Sequence, residues 1–83
     1  MLPAFDQLIG AIVADEGKLA ITYRDLSIGE VLVTVQAGAR DMGRLIGRSG
    51  KVADSLRVII SAIGYKESGG QKRYSLEIKN KIQ

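Results

Sequence analysis

Cysteine and histidine are both absent from the 83 residues. Without cysteine there are no disulfides and no thiol chemistry. Without histidine, a His-ligated transition-metal site and a His-based acid–base mechanism are excluded. Aromatic residues make up only 5% of the chain, as Phe5, Tyr23, Tyr65 and Tyr74. That is too few for a binding surface built on stacked rings. No apolar run approaches the roughly 20 residues needed to span a bilayer. The first residues, Met-Leu-Pro-Ala-Phe-Asp, lack the basic stretch and cleavage site of a signal peptide. Cytoplasmic placement, away from any membrane, is therefore the expectation. No paired carboxylates, nucleophile–base set or cofactor loop can be assembled, so an enzyme is not expected. Asp15 and Glu16 are adjacent, diverge on a helix, and read as a solvated helix end.

Charge is present in moderation but unevenly spread. The net charge is +3. Residues 1–39 carry two basic against five acidic groups, and residues 40–83 carry ten against four. The halves are thus −3 and +6, an asymmetry that suits a polyanionic partner.

The length supports one domain. Pro3 suits a first helical position, and Phe5, Leu8, Ile9, Ile12 and Val13 follow with helical spacing. This helix is expected to end near Ala14–Gly17, with Gly10 packed closely against a neighbour. Leu19, Ile21 and Tyr23 alternate as a short strand. Asp25-Leu26-Ser27-Ile28-Gly29 reads as a turn, and Val31, Val33 and Val35 as the second arm of an antiparallel hairpin. Residues 39–46 make a brief helix with Met42, Leu45 and Ile46 on one side. Val52, Leu56, Ile59, Ile60 and Ile63 form the strongest helical stripe, expected to stop at a left-handed cap on Gly64. Residues 64–72 read as a polar loop. Tyr74, Leu76 and Ile78 alternate in a last strand, with Lys79-Asn80-Lys81 expected to fray. The predicted order is α-β-β-α-α-β, a two-layer α+β domain with three strands on three helices.

The ten glycines include a pair, Gly47 and Gly50, that brackets Arg48 and Ser49 between two predicted helices. A nucleotide P-loop is rejected on three counts. Its first glycine would fall on Leu45, its hydroxyl position is Val52, and the turn follows a helix instead of a strand. The G-x-G-x-x-G dinucleotide pattern also fails at residue 45. What remains is G-x-x-G. In such a turn glycine tolerates positive φ and lets another backbone approach, and the amides beginning the next helix are donors for an anion.

The string Leu45-Ile46-Gly47-Arg48-Ser49-Gly50-Lys51-Val52, with Leu56 and Arg57 behind it, resembles the core of a KH domain, whose G-x-x-G loop clamps about four nucleotides of a single strand. The element order is similar to the type II arrangement. Over residues 1–83, with a core of about 3–79, the chain resembles the small bacterial RNA-binding proteins of the KhpA family. The segment from Asp41 to Lys51 carries that likeness, although Gly38 stands where the family often has proline.

The resemblance implies single-stranded RNA binding without catalysis or cofactor, and a role as an RNA chaperone or post-transcriptional regulator linked to cell elongation and division. It also implies self-association or pairing with a second KH protein of the KhpB/Jag type. The expected groove lies between helix 39–46, the glycine turn 47–50, the start of helix 51–63, strand 31–36 and variable loop 64–72. Gly47 and Gly50 would admit the backbone, Arg48 would meet a phosphate, and Ser49 would offer its hydroxyl or amide. Lys51, Arg44 and Arg40 would add positive field, with bases against Leu45, Ile46 and Val52. Tyr65, by the variable loop, is open to a stacking or a packing role. Lys51, Ser55, Val58 and Ala62 offer a strip for a homodimer. The competing reading is a protein-interaction adaptor on a KH fold that has no need of nucleic acid.

Overall fold

The computed structural model describes residues 1–81. Helices α1 (Pro3–Ile12), α2 (Ala39–Ile46) and α3 (Lys51–Glu67) accompany strands β1 (Ala20–Ser27), β2 (Glu30–Ala37) and β3 (Arg73–Asn80). The α-β-β-α-α-β order is the expected one. The sheet runs β1-β2-β3, with β2 antiparallel to β1 and parallel to β3. The parallel pair requires a crossover, which α2 and α3 supply.

Alternation decides the faces. Val31, Val33, Val35 and Ala37 of β2 are buried under the helices together with Tyr74 and Leu76 of β3. Their alternating neighbours, Thr34 and Glu77, meet on the other face, where the Thr34 hydroxyl donates to the Glu77 carboxylate at 3.1 Å. Phe5 and Ile9 of α1, Leu45 of α2 and Ile60 of α3 close the core from the helical side. Leu2, just ahead of Pro3, is also buried. Its amide donates to the Tyr23 hydroxyl at 3.1 Å, which donates in turn to Asp6 Oδ1 at 2.6 Å. This relay ties the start of the chain to the sheet.

Several boundaries differ from expectation, each for a physical reason. Helix α1 stops at Ile12, because Val13 turns extended to bury its side chain. A separate 3-10 turn, Glu16–Lys18, follows, with the Asp15 carboxylate accepting from the Gly17 amide at 3.1 Å. Gly10 is not a site of close packing: a Cβ there would meet only Glu16 Oε1, at an ordinary 3.6 Å. Strand β1 absorbs Asp25, Leu26 and Ser27: Asp25 pairs with Val31 and Ser27 with Glu30, and Leu26 is left unpaired between them. A bulge accommodates the extra residue, and the turn shrinks to Ile28–Gly29.

Helix α3 does not end at Gly64. It continues to Glu67, so the loop expected at 64–72 is reduced to residues 68–72. Gly64 is buried inside the helix, and a Cβ there would stand 2.6 Å from Tyr74 Cγ. The glycine provides space for a ring and not a stop signal. Lys79 and Asn80 do not fray, since they pair with Gln36 and Ala37. The Lys81 amide then donates to the Ala37 carbonyl at 2.8 Å.

Candidate nucleic-acid interface

Helix α2 is set by a single acidic residue. Asp41 is 1% exposed. Its two carboxylate oxygens accept the amides of Ala14 at 2.9 Å and Asp15 at 3.0 Å. These bonds hold its carboxyl below the usual carboxylate range, helped by the nearby Arg44 and Arg40 charges and opposed by burial. Arg44 Nε lies 3.8 Å from Asp41 Oδ1. The carboxylate thus fixes α2 against the segment after α1, with Arg40 and Arg44 left exposed along one flank. Ala14, Asp15, Arg40, Asp41 and Arg44 line a concavity of about 610 Å³ there. The sequence offered little signal for this anchor, because its partners are backbone amides far away along the chain.

Helix α2 ends where Gly47 takes φ 75° and ψ 178°, its amide donating to the Gly43 carbonyl at 2.8 Å. That conformation is essentially reserved for glycine. Arg48–Gly50 form a tight 3-10 turn in which Ser49 sits at φ 56° and Gly50 at φ 76°. The Gly50 amide donates to the Gly47 carbonyl at 3.3 Å. No side chain caps the start of α3.

The two glycines face different surroundings. A Cβ on Gly47 would stand 2.8 Å from Val52 Cβ, whereas one on Gly50 would meet nothing within 4 Å. Gly47 is therefore needed for internal packing, and Gly50 is the one that opens onto solvent. Arg48, Ser49 and Lys51 are exposed around it. Among the described residues, Arg40, Arg48 and Lys51 enter no ion pair, the two pairs found being Arg44–Asp41 and Arg57–Asp54. Their charge is therefore free to act on an incoming anion.

Two expected contributors do not reach this surface. Leu45 is wholly buried in the core and cannot meet a base, although its neighbours Ile46, 39% exposed, and the half-buried Val52 can. Strand β2, expected to lend backbone groups from residues 31–36, is the central strand and is paired on both sides. The free strand edge on the helical crossover's side belongs to β3, against which both α2 and α3 pack. Tyr65 and the loop 68–72 are not brought to the glycine turn either. They lie at the opposite end of α3, about 25 Å away for a helix of this length. No cluster of potential metal ligands exists among the described residues.

Comparison with known proteins finds relatives over most of the chain. The family model described as "KhpA/KhpB, KH domain" matches residues 5–78. A protein of Streptomyces coelicolor named RNA-binding protein KhpA is 36% identical over 61 residues, 74% of this chain and 76% of the relative. Its namesake from Leifsonia xyli is 33% identical over 63 residues, 76% and 82% of the two chains. One from Treponema pallidum is 31% identical over 68 residues, 82% and 80%. No solved structure gives a significant match.

Proposed function

The chain belongs to the KhpA/KhpB family of KH domains, and on that premise we propose that it is a non-catalytic, single-stranded RNA-binding protein that seats a ribose-phosphate backbone on the turn Gly47–Gly50. The observation carrying this reading is the empty space beside Gly50, flanked by the exposed Arg48, Ser49 and Lys51. A phosphate approaches bare peptide there, with Arg48 as its counter-charge and Ser49 as a hydrogen-bond donor. Arg44 and Arg40 extend the positive field along α2. Bases rest against Ile46 and Val52, and not against Leu45.

In this reading the protein acts as a cytoplasmic RNA chaperone or post-transcriptional regulator, linked to cell elongation and division. It pairs with itself or with a second KH protein of the KhpB/Jag type. The naming of the relatives as RNA-binding proteins supports the first part. Among the described residues, no helix is long and apolar enough to cross a membrane. The strip formed by Ser55, Val58 and Ala62 is exposed on α3, with Val58 70% accessible, and suits a protein contact.

Few phosphates are engaged, so one domain binds on the order of micromolar or more weakly at physiological salt. The test is a salt titration of single-stranded RNA binding by wild type and by the double variant Arg48→Asp/Ser49→Asp. Wild-type affinity falls as salt rises, and the folded double variant loses binding. RNA affinity that survives both substitutions sinks the clamp on the glycine turn, and a wild type with no salt-dependent RNA affinity favours the adaptor.

A further inference from the structure

We propose that Ser49 is a phosphorylation site, and that a phosphate on its hydroxyl turns the glycine turn from an RNA seat into an occupied one that repels RNA. The proposal rests on the RNA-binding reading and adds a means of regulating that same site.

The serines of the chain are not equivalent as acceptors. Ser27 lies in β1, Ser75 in β3, and Ser55 and Ser61 in α3. The Ser27 hydroxyl donates to the Glu30 carboxylate at 2.9 Å, and the Ser68 hydroxyl to the Tyr65 carbonyl at 3.2 Å. Ser49 is exposed, stands outside every α-helix and strand, and enters none of the side-chain hydrogen bonds among the described residues.

The backbone presents it. Ser49 holds φ 56° and ψ 27°, a left-handed conformation uncommon for serine. Beside it is Gly50, where a Cβ would meet nothing within 4 Å. A modifying enzyme must reach both the acceptor side chain and the main chain flanking it, and here both are open. Arg44 and Arg48 precede the hydroxyl and Lys51 follows it, all three exposed. Such an acceptor suits a kinase with an acidic substrate groove. The donor is ATP. The Ser49 Oγ–phosphorus bond forms, the bond from the γ-phosphorus to ADP breaks, and the hydroxyl proton passes to the kinase's base.

Charge decides the effect. A phosphoserine carries about −1.5 to −2 charges at neutral pH and three acceptor oxygens. Arg48 and Lys51 bring one positive charge each and have no ion-pair partner among the described residues. One phosphate therefore cancels nearly all the charge that the turn itself offers a strand. It also draws both cations into charge-assisted bonds of its own. Standing just before the uncapped start of α3, it is favoured further by the positive end of that helix. The modified side chain takes the place of an RNA phosphate, and a strand arriving there meets like charge.

The full chain phosphorylated at Ser49, made with an expanded genetic code, is compared with the unmodified chain in binding a labelled single-stranded RNA. The phosphorylated form is expected to bind about tenfold more weakly or worse. Phosphatase treatment is expected to restore its affinity, which separates charge from misfolding. Mass-spectrometric mapping of the protein purified from its own growing and resting cells is expected to place a phosphate on Ser49, with the signal gone in Ser49→Ala. Equal RNA affinity of the two forms overturns the switch, as does protein from both growth states without phosphate on Ser49. Either result leaves the RNA reading standing when the unmodified chain binds RNA with salt-dependent affinity. If the unmodified chain lacks that affinity, the RNA reading fails and the switch with it.

Discussion

The ring of Tyr74 on β3 lies directly over the bare Cα of Gly64 on α3, in the space any larger residue would fill with its Cβ. Helix and strand can therefore approach more closely here than side chains ordinarily allow. Gly64→Ala improves helix propensity by about 1 kcal/mol but forces the ring or the helix to move. Overpacking of this kind costs about 1–3 kcal/mol, so a net loss of stability is expected in urea denaturation. The double variant Gly64→Ala/Tyr74→Ala is expected to fall short of the sum of the single losses, because removing the ring frees the space.

The glycines of the turn differ in their tolerance. Gly50→Ala meets no neighbour and pays only for a left-handed backbone, about 1–2 kcal/mol. Gly47→Ala combines a glycine-only conformation with collision against Val52, roughly 2–6 kcal/mol in all. Chemical denaturation of the two variants is expected to rank Gly47→Ala well below Gly50→Ala.

Asp41 links acid stability to the position of α2. Its carboxyl is depressed in the folded protein, so the unfolded chain binds the proton more readily. The stabilisation is complete above the ordinary aspartate value near 3.8, and it is lost as pH falls below that value through the depressed one. Asp41→Asn is expected to lower the denaturant midpoint at neutral pH and to flatten the acid limb of the stability curve. Variant and wild type should converge as the pH drops below the depressed value.

Tyr23 acts at the other end of the pH scale. Burial, reinforced by the bond to Asp6, pushes its hydroxyl well above its ordinary value of 10.0. The stabilisation is full below pH 10 and fades as pH rises above it, since the folded state resists ionisation there. Tyr23→Phe strips Leu2 and Asp6 of their shared partner, at a cost of about 1–2 kcal/mol. Thermal melts across neutral to alkaline pH should show this difference shrinking above pH 10.

The apolar rhythm of the chain made most of the fold legible. Val31, Val33 and Val35 announced one face of a strand, and Leu56 and Ile60 announced the buried side of α3. Local chemistry misled where a distant partner overruled it. Gly64 has the form of a cap, and only the ring of Tyr74 explains why it sits inside a helix. Asp25 and Ser27 are turn formers, yet the ladder with Val31 and Glu30 draws them into β1. Leu45 shares a helical side with Ile46, but one faces the core and the other solvent. At the candidate site, residues 46–52 could be read directly because a tight turn encodes itself locally. The Asp41 anchor could not, since it joins segments far apart in the chain.

The parallel alignment of β2 with β3 has a bearing on synthesis. A hairpin can zip as soon as its second arm emerges, but β3 finds its place only after everything from Gly38 to Lys72 has been made and turned back. Tyr74 and Leu76 then seal the core beneath α3. A ribosome-bound chain halted before Arg73 would display its glycine turn on helices packed against one another and β2 but lacking the closing strand beneath α3.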